Sequence, residues 1–220
     1  MAKIAVVTGG AGALGKAVCR AFAESGYDVH LTALNEKERK AYEGPGHVYE
    51  VDLADLESAR RWSAQLPPVV HSAALLAGGF QASSLEDLTP DHVSALWKMN
   101  ALTAFHALSA LIPRLEKAGG ASVVLVGSQA YEGAAGISAY ASAKSAVVSL
   151  TRSAARELKS KKIRVNCLLP DIIDTPANRQ AMPGADFETW AKPEEIAQVI
   201  LLLCSDPARL INGAIIPVGR

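Results

Sequence analysis

Tyr140 and Lys144 lie four residues apart at the end of a stretch, Ser128–Lys144, that reads SQAYEGAAGISAYASAK. On a helix this spacing stacks both side chains on one face. An ammonium beside a phenol favours the phenolate and lowers a pKa that starts at about 10. A tyrosine tuned in this way can donate or accept a proton near neutral pH. Ser128 follows an apolar run, where a hydroxyl at a strand end could hold the same oxygen. A tyrosine and a lysine at this spacing are also common as a plain surface helix pair, so the rest of the chain must decide.

A second group of residues suits a dinucleotide. Thr8-Gly9-Gly10-Ala11-Gly12-Ala13-Leu14-Gly15 sits between a strand-like run and a helix-like one. Glycines there let the backbone approach a pyrophosphate, and the helix N-terminus offers free N–H groups and a positive dipole end. Asp52-Leu53 follows the third strand, where a carboxylate can accept from an adenine amino group or cap the next helix. The second strand ends Thr32-Ala33-Leu34-Asn35 with no acid before Glu36. A missing acid removes a repulsion against a 2′-phosphate, and Lys37 or Arg39 could reach one, so NADP(H) is expected over NAD(H). Ser72-Ala73-Ala74 is read as the end of the fourth strand, small enough for a flat cofactor to lie against. His71 beside it is read as an ordinary strand-end histidine.

These residues must be held by an alternating scaffold. Strand-like runs are Ile4–Val7, Val29–Thr32, Val48–Val51, Val69–Ser72, Ser122–Val126, Ile163–Leu169 and Ala214–Val218. Helical segments fall between them, near Leu14–Ser25, Leu56–Leu66, Pro90–Lys117, Ala139–Lys161 and Pro193–Cys204. That order argues for an α/β Rossmann-type doubly wound domain: one parallel seven-stranded sheet with helices on both faces. At 220 residues, without repeat or linker, the chain is expected to form one domain over 1–220. Lys+Arg and Asp+Glu both number 22, so no basic excess draws it to nucleic acid or an anionic membrane. No apolar run is long enough to span a bilayer, and the first residues enter a strand with no cleavable apolar region, so a cytoplasmic protein is expected. Cys19, Cys167 and Cys204 are scattered in apolar surroundings and read as buried free thiols; no metal site is expected.

With Thr8–Gly15, Asp52-Leu53, Asn100, Ser128, Tyr140-x-x-x-Lys144 and Pro170…Thr175 in this order, the chain resembles the short-chain dehydrogenase/reductases over essentially its whole length. Two motifs depart from that family's pattern. Ala13 stands at the middle glycine of the usual T-G-x-x-x-G-x-G, and His71-Ser72-Ala73-Ala74 stands for N-N-A-G. The resemblance implies hydride transfer between nicotinamide and a small carbonyl or alcohol substrate, with Asn100, Ser128, Tyr140 and Lys144 as the catalytic set. Tyr140 would be the acid/base, Ser128 would bind the substrate oxygen, and Lys144 would lower the phenol pKa and hold the nicotinamide ribose. Asn100 would hold a water that links Lys144 to solvent. Cofactor contacts would come from Gly9, Gly12, Ala13, Leu14, Gly15, Asp52, Leu53, Ser72, Ala73, Ala74, Pro170, Ile173 and Thr175, together with Tyr140 and Lys144.

A narrower likeness, to the dihydropteridine reductases, rests on the glycine turn, Ala77-Gly78-Gly79, Leu96-Trp97-Lys98 and the segment from Asp174 to Phe187. It implies reduction of a quinonoid pterin as an alternative. Ser128 and Asn100, which those enzymes commonly lack, and Ala33, where they carry an acid, favour a general carbonyl reductase. A non-catalytic nucleotide-binding redox sensor is the alternative of another class. Substrate contacts are expected from Leu75–Leu85 and Asp174–Trp190, with Met182, Phe187 and Trp190 either an apolar lid or part of the core. Helices Pro90–Lys117 and Ala139–Lys161 are rich in small residues, and relatives pair such helices, so a homo-dimer or homo-tetramer is expected.

Overall fold

The structure, a computed structural model, describes residues 2–220. The chain runs β1 (Lys3–Thr8), α1 (Ala13–Glu24), β2 (Tyr27–Ala33), α2 (Glu36–Lys40), β3 (His47–Glu50), α3 (Leu56–Gln65), β4 (Ser72–Leu75) and α4 (Pro90–Trp97). A π turn (Lys98–Leu102) then leads into α5 (Thr103–Glu116), followed by β5 (Ala121–Val126), α6 (Ser138–Glu157), β6 (Ile163–Pro170), α7 (Pro176–Ala181), α8 (Pro193–Cys204) and β7 (Ile215–Val218). The seven strands form one sheet in the order β3-β2-β1-β4-β5-β6-β7, all parallel. The order reverses between β1 and β4, and ligands of such sheets bind beyond the carboxyl ends of the strands at that point.

Strand periodicity divides the core in two. Val6, Leu75, Val123, Leu125, Val165 and Leu169 face one side, packed by Trp62 of α3, Leu108 and Leu111 of α5, and Val147 of α6. Ala5, Val7, Leu31, Val124 and Leu168 face the other, packed by Val18 and Phe22 of α1 and Ile196 and Ile200 of α8. Both faces are covered, which explains why the central strands read as continuous apolar runs rather than alternating ones.

Two boundaries differ from the sequence reading. The fourth strand covers Ser72–Leu75 instead of ending at Ser72, because it pairs Ala5↔Ser72 through Thr8↔Leu75 with β1. The expected single helix Pro90–Lys117 is interrupted by the π turn, where Asn100 donates from Nδ2 to the Leu96 carbonyl (3.0 Å). A side chain inserted into the backbone ladder widens the helix at that turn, and such turns are frequent at functional sites. Thr89 caps the helix start ahead of Pro90, as the sequence indicates. No helix among the described residues is long and apolar enough to cross a membrane. All three cysteines are buried and free.

Candidate active site

A cleft of ≈ 510 Å³ opens at the carboxyl ends of β1 to β4. One wall is the glycine turn: Gly9, Gly12, Ala13, Leu14 and Gly15 all border it. Gly9 has φ +64°, and a Cβ on it would lie 3.0 Å from the Ala77 Cα. A Cβ on Gly10 would lie 2.5 Å from that of Leu31, so the turn can be made only without side chains. Helix α1 starts after Gly12 with no side-chain cap and no acid in its first turn, which leaves its N-terminal N–H groups for an anion. Thr8 Oγ1 accepts from the N–H groups of Leu76 (3.0 Å) and Ala77 (3.2 Å), tying the glycine turn to the segment after β4. Thr32 Oγ1 likewise accepts from Gly9 N–H (3.0 Å).

Asp52 and Leu53 border the cleft. The helix cap is Asp55, whose side chain accepts from Glu57 N–H, whereas Asp52 Oδ1 accepts from Ala54 N–H (2.9 Å) in the turn before it. Thr175 borders the cleft and also caps α7 by accepting from Asn178 N–H (3.2 Å). Pro170 is buried at the end of β6, and Ile173 pairs with Ala191 in an isolated bridge; neither borders the cleft.

Ser72, Ala73 and Ala74 require a correction. They are buried inside β4, and Leu76, Ala77 and Gly78 border the cleft in their place. The four-residue shift follows from the strand register, and it moves the fourth-strand motif to Leu75-Leu76-Ala77-Gly78, which keeps the family's Ala-Gly. His71 is an ordinary packing histidine, with Nδ1 accepting from Ile4 N–H (3.0 Å). A second correction concerns the adenosine end. Lys37 and Arg39 do not border the cleft; Arg39 lies between Glu36 (3.8 Å) and Glu50 (3.7 Å). Glu38 does border it, with Oε2 accepting from Leu34 N–H (2.9 Å).

The candidate catalytic residues adjoin the cleft through Gly78. A Cβ on Gly78 would lie 2.7 Å from Asn100 Oδ1 and 3.3 Å from Lys144 Nζ, so these side chains meet behind one glycine. Asn100 is buried, and its amide is spent on backbone: Nδ2 donates to the Gly79 (2.9 Å) and Leu96 carbonyls, and Oδ1 accepts from Gly79 N–H (3.2 Å). These three contacts occupy the side-chain amide of Asn100. Its amide positions the Gly78–Gly79 backbone against Lys144. The sequence carried no sign of this, because Leu96 and Gly79 are linked to Asn100 only through the π turn.

Lys144, on α6, is buried and donates to the Val126 carbonyl (3.2 Å). Burial lowers its pKa from the usual 10.5 to about 8, against a smaller opposing effect of the Cys167 thiol. Its Nζ lies 5.7 Å from the centre of the Tyr140 ring. The Tyr140 pKa is raised, chiefly by burial, with the Ser128 hydroxyl acting in the opposite direction. The net direction is thus opposite to the lowering expected from the Tyr140–Lys144 spacing, because the phenol loses water on burial. Ser128 caps a short 3₁₀ turn, accepting from Ala130 N–H (3.2 Å). Phe80 stands edge-on to Tyr140, ring centres 5.0 Å apart, and is 62% exposed, an apolar surface that the sequence reading placed only within a loop. Of the expected lid, Trp190 is buried against Phe187 (4.8 Å), and the Arg179 guanidinium lies over Phe187 while pairing with Asp174. The lid expectation fails for Trp190, whose large ring supports the segment from beneath.

Residues 9–219 match the family model described as enoyl-(acyl carrier protein) reductase. Dehydrogenase/reductase SDR family member 4 of Mus musculus is 30% identical over 244 residues, covering 99% of this chain and 86% of the relative. The 3-oxoacyl-(acyl-carrier-protein) reductase FabG of Chlamydia muridarum is 27% identical, covering 98% and 95%. Among solved structures, gox2181 superposes with TM-score 0.91 at 26% identity, covering 99% of this chain and 94% of that one. Levodione reductase superposes with TM-score 0.89 at 21% identity, covering 99% and 96%, a likeness of fold. The chain belongs to the short-chain dehydrogenase/reductase family of nicotinamide-dependent oxidoreductases.

Proposed function

We propose that residues 1–220 form one dinucleotide-binding domain that reduces a small carbonyl substrate, or oxidises the matching alcohol, with Tyr140 as acid/base. The observation that carries this reading is the meeting of Lys144 and Asn100 behind Gly78, which lines the cleft, with Tyr140 and Ser128 alongside. The bound nicotinamide supplies the hydride. Gly9–Gly15 and the start of α1 bind the pyrophosphate, Asp52 and Leu53 flank the adenine, and Thr175 holds the carboxamide side. Tyr140 gives its proton to the carbonyl oxygen as charge develops there, and Ser128 hydrogen-bonds the same oxygen. Lys144 would hold the ribose hydroxyls and, with the oxidised cofactor's positive charge, would draw the phenol pKa down, and Asn100 would position it through Gly78–Gly79. Exposed Phe80 offers an apolar edge beside Tyr140, which suits a flat or small substrate.

The cofactor favoured by the cleft is NAD(H) over NADP(H). Glu38 at the adenosine end opposes a 2′-phosphate, and the expected cations stand elsewhere. Homo-oligomers are proposed from the exposed Trp97 and Phe105 on α4 and α5, and light scattering showing a monomer would refute them. The function is tested by following NADH and NADPH consumption with a panel of small ketones, diketones and a quinonoid pterin. Turnover is expected with at least one carbonyl, with NADH bound at least about tenfold more tightly than NADPH. Turnover of the pterin alone would instead favour the pterin reductases, and tight cofactor binding without any turnover would favour a sensor.

A further inference from the structure

The opposite end of the sheet carries a cluster that hydride transfer does not use. Asp28 and His30 are two residues apart on β2 and therefore share a face, and His47 of β3 is the register partner of His30. Their donor atoms all lie within 4.8 Å of one another. Asp28 Oδ1 is 3.1 Å from His47 Nε2, and Asp28 Oδ2 is 3.6 Å from His30 Nε2. Metal–ligand bonds of about 2.1 Å in a tetrahedron separate neighbouring donors by about 3.4 Å, close to both spacings.

The second observation is an unpaired atom. His30 is only 5% exposed, and its buried Nε2 makes no hydrogen bond within 3.5 Å, with Asp28 Oδ2 at 3.6 Å, inside this cluster. A buried ring nitrogen left without a partner is uncommon and costly. The other ring nitrogen, Nδ1, is 3.0 Å from the Tyr49 hydroxyl, two residues beyond His47 on the same face. Metal-bound histidines are typically held this way, one nitrogen on the ion and the other on an outer partner that fixes ring and tautomer. The His30 and His47 rings stack, centres 4.7 Å apart. His47 is exposed at the first residue of an edge strand, so its ring can turn to close the remaining side of the triangle.

We propose that Asp28, His30 and His47 form a binding site for a divalent transition-metal ion of the zinc type, with water in the fourth position, clamping edge strand β3 to β2. Nitrogen and carboxylate donors without thiolate suit Zn²⁺. The site spans the first residue of β3 and Asp28 and His30 in the first four residues of β2, none of which borders the cleft, so its role is to hold the sheet edge.

The test is equilibrium dialysis of the tag-free, chelator-treated protein against Zn²⁺, with metal content read by mass spectrometry and melting temperature recorded in parallel. One ion per chain is expected for the parent and for His92→Ala, with a melting temperature that rises on adding zinc. His47→Ala and Asp28→Asn should bind at least about tenfold more weakly and lose that rise. Both replace solvent-accessible groups, and unchanged melting of the metal-free variants checks that they fold. Absence of stoichiometric zinc in the parent, or affinity within about threefold of the parent in both variants, would overturn the proposal.

Discussion

Tyr140→Phe is expected to lower kcat/KM by about 10²–10⁴-fold, the usual range for loss of one general acid, with NAD(H) affinity kept within about twofold. The ring itself packs edge-on against Phe80, and phenylalanine preserves that contact. Only the hydroxyl is lost, and with it the proton source beside Ser128. Steady-state kinetics with a cofactor-binding titration checks the prediction. A variant as fast as the parent would remove Tyr140 from the mechanism, and a variant that lost cofactor binding as well would assign it to holding the cofactor.

Lys144→Met is expected to abolish most activity and to stabilise the fold. The ammonium is buried on α6, with one hydrogen bond, to the Val126 carbonyl. Lowering its pKa from 10.5 to about 8 corresponds to about 3 kcal/mol at neutral pH. Leaving the Val126 carbonyl unpaired costs about 1 kcal/mol in the variant. The net gain of about 2 kcal/mol raises the melting temperature by roughly 5 °C for a chain of this size. The folded chain holds the lysine proton less tightly than the unfolded one. The penalty is therefore fully present below pH 8 and fades as pH rises from about 8 to 10.5. Melting curves of parent and variant should accordingly converge across that window. A variant less stable than the parent at pH 7 would mean that Lys144 is held there for stability, not for chemistry.

The residues proposed to carry the chemistry were legible because their spacing is local. Tyr140 and Lys144 share a helix face by sequence distance alone, and the glycine turn announces itself between a strand and a helix. The alternation of strands and helices also led correctly to a parallel seven-stranded sheet. What could not be read depended on register and on distant packing. Ser72-Ala73-Ala74 was misplaced by four residues because Val69–Ser72 looks as strand-like as Ser72–Leu75, and only pairing with β1 chooses between them. The π turn at Asn100 arises from a carbonyl four residues earlier and a loop twenty-one residues earlier, which no helix periodicity reveals. The raised Tyr140 pKa escaped for a similar reason. The neighbouring lysine is visible in the sequence, but the burial of the phenol is not.

That last difference sharpens the mechanism. Lys144 is turned to the Val126 carbonyl, and burial raises the pKa of the Tyr140 phenol. A tyrosine that works as an acid/base near neutrality must have its pKa brought down when the site is assembled, as Lys144 engages the ribose and the oxidised cofactor brings a second positive charge. The measurement that addresses this most directly is a phenolate absorbance titration of the parent minus Tyr140→Phe, with and without NAD⁺. The proposed mechanism requires a Tyr140 midpoint above 10 in the free chain that falls well below 10 with NAD⁺ bound. A midpoint unmoved by saturating NAD⁺ would contradict it.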